Sequence, residues 1–297
     1  MPKEKLETIA VTDLQESLAS ESSSVPSFNI IRTVFSTSCL IIWTVFMIAI
    51  VWVTLRLLLP KYLGAATLIF HRVCCRIFSI RRSITGRVSV ERPTLFVINH
   101  ISYLDIFVLG SVIPGCFIAK SEVAKWPILG SLAKFQNTLF FERNSRKIRG
   151  QLDVMSNHFR RRGNLILFPE GTTTEGEHVA RFKSGLFQAV ENIGVDVQIQ
   201  PVTIAYTHYQ DRPMSRQVRD VYAWYDDMPF VSHFFRALGL KNSRAQLVFH
   251  KLVTPESFET RKACAHHCWQ QVSDGLKSQL KNSDRFEDND FLENNDR

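Results

Sequence analysis

The sequence predicts an α/β fold, a mixed sheet flanked by helices, carried behind an N-terminal hydrophobic membrane-anchoring helix or helical hairpin. Three observations predict it. Beyond Arg87, short apolar runs alternate with helical stretches, as in a sheet whose strands are joined by helices. Residues 36–55, STSCLIIWTVFMIAIVWVTL, are 20 consecutive uncharged residues. At about 1.5 Å per residue, such a helix matches a hydrocarbon core of roughly 30 Å. Finally, 45% of the 297 residues are hydrophobic, which supplies a core and excludes wholesale disorder.

The elements follow in order. Residues 1–30 are rich in Ser and Glu and read as a flexible arm. Residues 31–84 are expected to form the anchor and an amphipathic helix, 85–281 the main α/β domain, and 282–297 an acidic, disordered tail. The hydrophobic run starts too far from Met1 for a signal peptide. Residues 32–87 hold eight Lys or Arg and no Asp or Glu. This unopposed charge beside the run fits an anionic membrane surface rather than nucleic acid, and if the segment spans, the positive-inside rule puts the remaining chain in the cytoplasm. In 62–80, Ile69, Phe70, Val73, Ile77 and Ile80 share a stripe, with Arg72 and Arg76 on another. This helix either lies in the membrane interface or packs on the α/β domain.

Strands are expected at Thr94–Ile98, Cys116–Ala119, Thr138–Phe141, Asn164–Phe168, Gln198–Ala205, Val218–Trp224 and Ala245–Leu252. Helices are expected at Ser102–Gly110, Ser145–Arg162, Arg181–Asn192 and Pro255–Lys281. The six cysteines include the adjacent pair Cys74-Cys75, which does not suit a disulfide framework and points to a reducing compartment.

The chemistry concentrates where strand TLFVIN gives way to a helix, at Asn99-His100-Ile-Ser-Tyr-Leu-Asp105. One helical turn brings Asp105 back toward His100, and a carboxylate on one ring nitrogen leaves the other free to take a proton. A helix-capping His beside an unrelated acid is the alternative. Two other patterns carry less. Gly171 and Gly176 have P-loop spacing, but Glu177 stands where the phosphate-gripping Lys belongs. Cys264, His267 and Cys268 lie on one helix without a second ligand pair, so no metal is expected. Neither a Gly-x-Ser-x-Gly elbow nor a His-Glu-x-x-His pair occurs.

Four ordered blocks resemble the glycerolipid acyltransferase family, which includes bacterial 1-acylglycerol-3-phosphate acyltransferases. They are Asn99-His100-x4-Asp105, Thr138-Leu-Phe-Phe-Glu-Arg143, Phe168-Pro-Glu170-Gly171-Thr172 and the strand with Pro201-Val202. Ile118-Ala-Lys120-Ser-Glu122 resembles the segment between the first two. The resemblance implies that His100 is the general base and Asp105 orients it. It also implies that Arg143 contacts the head group, that Glu170, Gly171 and Thr172 form the acceptor loop, and that Lys120 adds positive charge. No cofactor is implied. The co-substrate would be an acyl carrier protein or coenzyme A thioester, the acceptor a lysolipid and the setting a bilayer, the bacterial inner membrane. The first expected acceptor is 1-acylglycerol 3-phosphate. One departure matters: where the family reads Glu-Gly-Thr-Arg, this chain has Thr173. Relatives acylating lyso-ornithine lipid resemble that version and the Trp224–Pro229 stretch, so lyso-ornithine lipid is the alternative acceptor. A non-enzymatic lipid-binding protein is the other class, but it has no need of the His100/Asp105 pair.

Overall fold

The computed structural model describes residues 29–49, 62–126, 129–142, 147–191 and 196–294. The arm, the end of the hydrophobic run with Arg56 and Lys61, and Arg143 lie outside the described residues.

Among the described residues, eight strands form one sheet. These are β1 (Ile80–Thr85), β2 (Thr94–Ile98), β3 (Cys116–Lys120), β4 (Leu139–Phe141), β5 (Leu165–Leu167), β6 (Gln198–Tyr209), β7 (Arg212–Pro213) and β8 (Ser243–Phe249). Their order is β1-β8-β6-β2-β5-β3-β4, with β7 paired to β6. The run β6-β2-β5-β3-β4 is parallel, and β8 turns the sheet mixed by pairing antiparallel with β6 and parallel with β1. The central strand β2 is buried along its whole length, as expected of a parallel strand covered on both faces.

Eight α-helices are described: α1 (Ile30–Ala49), α2 (Leu63–Ile77), α3 (Leu104–Gly110), α4 (Leu129–Phe135), α5 (Ile148–Arg160), α6 (Arg216–Tyr222), α7 (Phe230–Gly239) and α8 (Arg261–Asn294). One face of the sheet shares a core with α1, α2, α3, α6 and α7, through side chains such as Phe70, Phe78, Leu104 and Leu238. The other packs on α5 and α8, through Met155, Phe159, Cys264 and Cys268.

Helix α1 is apolar on the outside. Thr33, Ser36, Thr44 and Met47 are buried, whereas Ile31, Val34, Phe35, Ile42, Val45 and Phe46 are exposed. Its inner face is tied into the domain. Arg32 Nε donates to Leu240 O (2.6 Å), and its guanidinium also reaches Ile77 O and Ser79 Oγ. Trp43 Nε1 donates to Phe70 O (3.3 Å). Gly239 lets α7 approach, since a Cβ there would lie 2.7 Å from Thr33 Oγ1. A water-facing helix has the reverse pattern.

Several expectations change. Helix α2 takes the packed alternative: Ala66, Phe70, His71, Cys74 and Cys75 are buried, while Ile69 is exposed. Arg72 Nε accordingly donates to Ser111 O at the end of α3 (3.1 Å), satisfying a terminal helix carbonyl. Val218–Trp224 is not a strand. Ser215 caps α6 by accepting from Val218 N, and its β-branched residues bury at helical spacing, so packing overrides propensity. Arg181–Asn192 is not an α-helix. Its middle is a 3-10 helix, Ser184–Val190, after Lys183 N has bonded to Pro169 O. Strand β1 was hidden by Arg81 and Arg82 and begins inside the segment 31–84, crossing the boundary read at residue 85. The final helix starts at Arg261, after a short 3-10 turn at Pro255–Ser257, and runs to Asn294 through most of the stretch read as a disordered tail.

Candidate active site

The parallel strands aim their C-terminal ends at one edge of the sheet, where ligands of α/β folds bind. There β2 ends in Asn99, whose buried side chain continues the strand pairing. Its Nδ2 donates to Ile204 O and its Oδ1 accepts from Ile204 N, both at 2.9 Å. His100 and Ile101 then turn into α3, whose first turn carries Asp105.

Asp105 is fully buried and its carboxylate is saturated with donors. Oδ2 accepts from Ile101 N (2.7 Å) and Ser102 N (3.0 Å) and lies 2.8 Å from His100 Nδ1. Oδ1 accepts from Tyr206 Oη at 3.0 Å. Three N–H and O–H donors already meet its two oxygens, so the group facing His100 Nδ1 is an acceptor and the Nδ1 proton points at it. The basic lone pair of the imidazole is then on Nε2. The His100 side chain is 19% exposed, and its ring stacks on Phe168 with centroids 3.9 Å apart and planes at 13°. The imidazole is thus oriented from two sides and open at one edge.

Glu170 sits beside this pair, buried to 2% exposure. Its carboxylate grips backbone: Oε1 accepts from His100 N and Oε2 from Ala180 N, each at 2.6 Å. Burial pushes its carboxyl up to about 8, against the pull of those two hydrogen bonds. The following loop closes over the turn that carries His100. Gly171 and Gly176 take φ of +71° and +84°, which side chains rarely adopt, and a Cβ on Gly176 would lie 3.1 Å from Ile101 Cγ2. Thr174 N donates to His100 O (2.9 Å) and Trp224 N to Ile101 O (3.0 Å). Behind the loop, Arg219 Nε meets Glu177 Oε1 at 2.8 Å and Nη1 donates to Met214 O at 2.7 Å.

The structure therefore brings His100, Asp105 and Glu170 together, with Gly171 beside them and Thr172 exposed on the same loop. Lys120 ends β3, two strands over on the same edge, and is exposed. Arg143 is outside the described residues. The sequence reading did not single out Tyr206, Phe168 or Arg219 as site residues. Phe168 opened the third block without being given a role; Tyr206 and Arg219 carried no signal, because their partners are 101 and 42 residues away in the chain. Among the described residues no group of three or more His, Cys, Asp or Glu is placed to hold a metal. Cys264 and Cys268 are core residues, and His267 lies 2.7 Å from Gln271 Nε2.

Residues 80–205, which hold His100, Asp105, Phe168 and Glu170, match the Acyltransferase family. Lyso-ornithine lipid O-acyltransferase of Rhodobacter capsulatus is 36% identical over 215 residues, covering 71% of this chain and 76% of that protein. The chain belongs to the acyltransferase family. Among other acyltransferases, the 1-acyl-sn-glycerol-3-phosphate acyltransferase of Neisseria gonorrhoeae is 32% identical over 181 residues, 60% of this chain and 68% of that one. The fold matches the crystal structure of the 1-acyl-sn-glycerophosphate acyltransferase of Thermotoga maritima. The TM-score is 0.63 at 20% identity, over 84% of this chain and 95% of that one. This acyltransferase is an enzyme that transfers acyl groups, and its relatives work in lipid biosynthesis.

Proposed function

We propose that the protein is a lysolipid O-acyltransferase in which His100 is the general base and Asp105 its orienting carboxylate. The observation that carries this is the buried Asp105 on Nδ1 of a half-open imidazole. His100 Nε2 takes the proton of the acceptor hydroxyl as its oxygen bonds to the thioester carbonyl carbon. The tetrahedral adduct collapses, the carbon–sulfur bond breaks, and the thiolate leaves with the proton from the imidazolium. The products are an ester and a free thiol. Asp105 stabilises the transient imidazolium, and the donor is an acyl carrier protein or coenzyme A thioester.

For the acceptor, lyso-ornithine lipid is the better-supported reading. Thr173 replaces the phosphate-reading arginine, and acids crowd the same loop. The Tyr225 phenol is pushed up to about 12, first by its hydrogen bond to Asp220, then by burial and the charges of Asp220, Glu175 and Asp226. Glu175 acts on Glu170 as well. Carboxylates so close to the catalytic turn favour a cationic head group over a phosphate. The Neisseria relative supports 1-acylglycerol 3-phosphate as the second reading.

The exposed apolar face of α1, bound to the domain by Arg32 and Trp43, supports monotopic attachment to a bilayer, with Val231 and Phe235 of α7 beside it. The basic segment favours the cytoplasmic face of the bacterial inner membrane. Purified protein with a labelled acyl thioester is expected to acylate lyso-ornithine lipid ahead of 1-acylglycerol 3-phosphate, and Thr173→Arg to narrow that ratio. His100→Ala should end turnover while vesicle binding persists. Full turnover in that variant sinks the mechanism.

A further inference from the structure

The catalytic carboxylate has two oxygens in different surroundings. Oδ2 serves the catalytic turn itself, two backbone N–H groups and the imidazole, all within five residues. Oδ1 is held by one side chain from another part of the fold, the Tyr206 phenol on β6. Tyr206 is 2% exposed, and its ring stacks on Tyr222 of α6, with centroids 5.6 Å apart and planes at 17°. The pairing of β6 with β8 slips directly after Tyr206, between Tyr206 and His208, a bulge of the kind that re-aims side chains beside active sites. Burial raises the phenol most, followed by Asp105 on α3, Cys75 on α2 and Tyr103 at the start of α3. The phenol therefore stays protonated and donates. Glu170 is the further acid acting near the pair.

We propose that Tyr206 is a positioning residue of the reaction, its hydroxyl acting through Asp105 Oδ1 to set how strongly that carboxylate holds the His100 imidazole and its proton. A donor on Oδ1 withdraws charge from the carboxylate and so moderates its hold on the imidazolium. Without that donor the whole charge falls on the Oδ2 side, the imidazolium is held more tightly, and the neutral base appears only at higher pH. The proposal rests on the His100/Asp105 reading above.

The test is the pH profile of kcat/KM with two changes of opposite sign. Tyr206→Phe removes the donor and keeps the ring. It is expected to lower kcat/KM about tenfold, the scale of one hydrogen bond to a charged group, and to move the acid limb to higher pH with the acceptor KM unchanged. Site-specific replacement of Tyr206 by 3-fluorotyrosine keeps the hydroxyl and makes it a stronger donor, so the acid limb moves to lower pH. This second protein also covers a Tyr206→Phe variant that does not fold. The control is Tyr222→Phe, whose ring stacks on Tyr206 and whose limb stays in place. Limbs that do not move, or that move the same way in both Tyr206 proteins, overturn the proposal even if activity falls, because that is the signature of a merely structural ring. A limb shift of equal size in Tyr222→Phe overturns it too. Failure of the underlying reading looks different: His100→Ala would then turn over like the wild type.

Discussion

Replacing Glu170 with Gln separates two roles for the third sequence block. In the structure both carboxylate oxygens accept from backbone N–H groups, His100 N and Ala180 N, at 2.6 Å each. A glutamine offers one oxygen and one NH2, so either the His100 or the Ala180 N–H must face another donor. A buried donor left unpaired costs about 1–3 kcal/mol. In a domain of this size that lowers Tm by roughly 2–12 °C. The same loss loosens the peptide that carries the imidazole, so kcat falls while the acceptor KM changes little. Titration supplies a second signature. The Glu170 carboxyl moves from 4.5 to about 8 on folding. Between those values the folded protein holds a proton that the unfolded chain has released. The stability contribution is thus fully present below about pH 4.5, falls as pH rises through this window, and is gone above about 8. Glu170→Gln is expected to flatten that slope. The assay is thermal unfolding across pH 5 to 8, alongside steady-state kinetics, at about half-unit steps. A variant with wild-type Tm, an unchanged slope and only a raised acceptor KM would refute the clamp and favour direct contact with the acceptor.

Three further outcomes are expected. Asp105→Asn should lower kcat by roughly 10²–10⁴-fold, because the amide cannot accept from all of its present donors and no longer stabilises the imidazolium; kinetics with folding checked by circular dichroism measures it, and near-wild-type kcat would count against the pair. Gly110→Ala should destabilise by about 1–3 kcal/mol, since its Cβ would lie 2.5 Å from the buried His71 ring, and an unchanged unfolding midpoint would contradict that packing. Phe35→Asp with Phe46→Asp, both on the exposed face of α1, should abolish co-flotation with anionic vesicles while leaving the domain folded; retained flotation would remove the bilayer contact assigned to that face.

Much of the fold was legible because its signals are local. The strand TLFVIN, the one-turn spacing of His100 and Asp105 and the apolar run after residue 36 each follow from neighbours in the chain. Misreadings arose where distant packing outweighs propensity. The Val218–Trp224 stretch has β-formers, yet it folds as α6 because Ser215 caps it and Val218, Val221 and Tyr222 all find the core from one helical face. Strand β1 looks too charged for a sheet until β8 pairs along it. The apolar stripe read in helix α2 ran through Ile69 and Phe70, and packing on the domain turns the buried face toward Phe70, Cys74 and Cys75, leaving Ile69 exposed.

The same division holds for the site. By itself the sequence placed Asp105 one turn from His100, set the glycines of the following loop and wrote the apolar run of the first helix, because each lies in consecutive residues whose pattern does not depend on what lies opposite. The tertiary structure alone decided that Glu170 grips the His100 peptide, that Phe168 stacks on the imidazole, that Tyr206 reaches Asp105 across 101 residues, and that α1 turns its apolar side outward. The physical reason is that a hydrogen bond or a buried face needs a partner, and in this chain those partners are brought together only when the sheet closes.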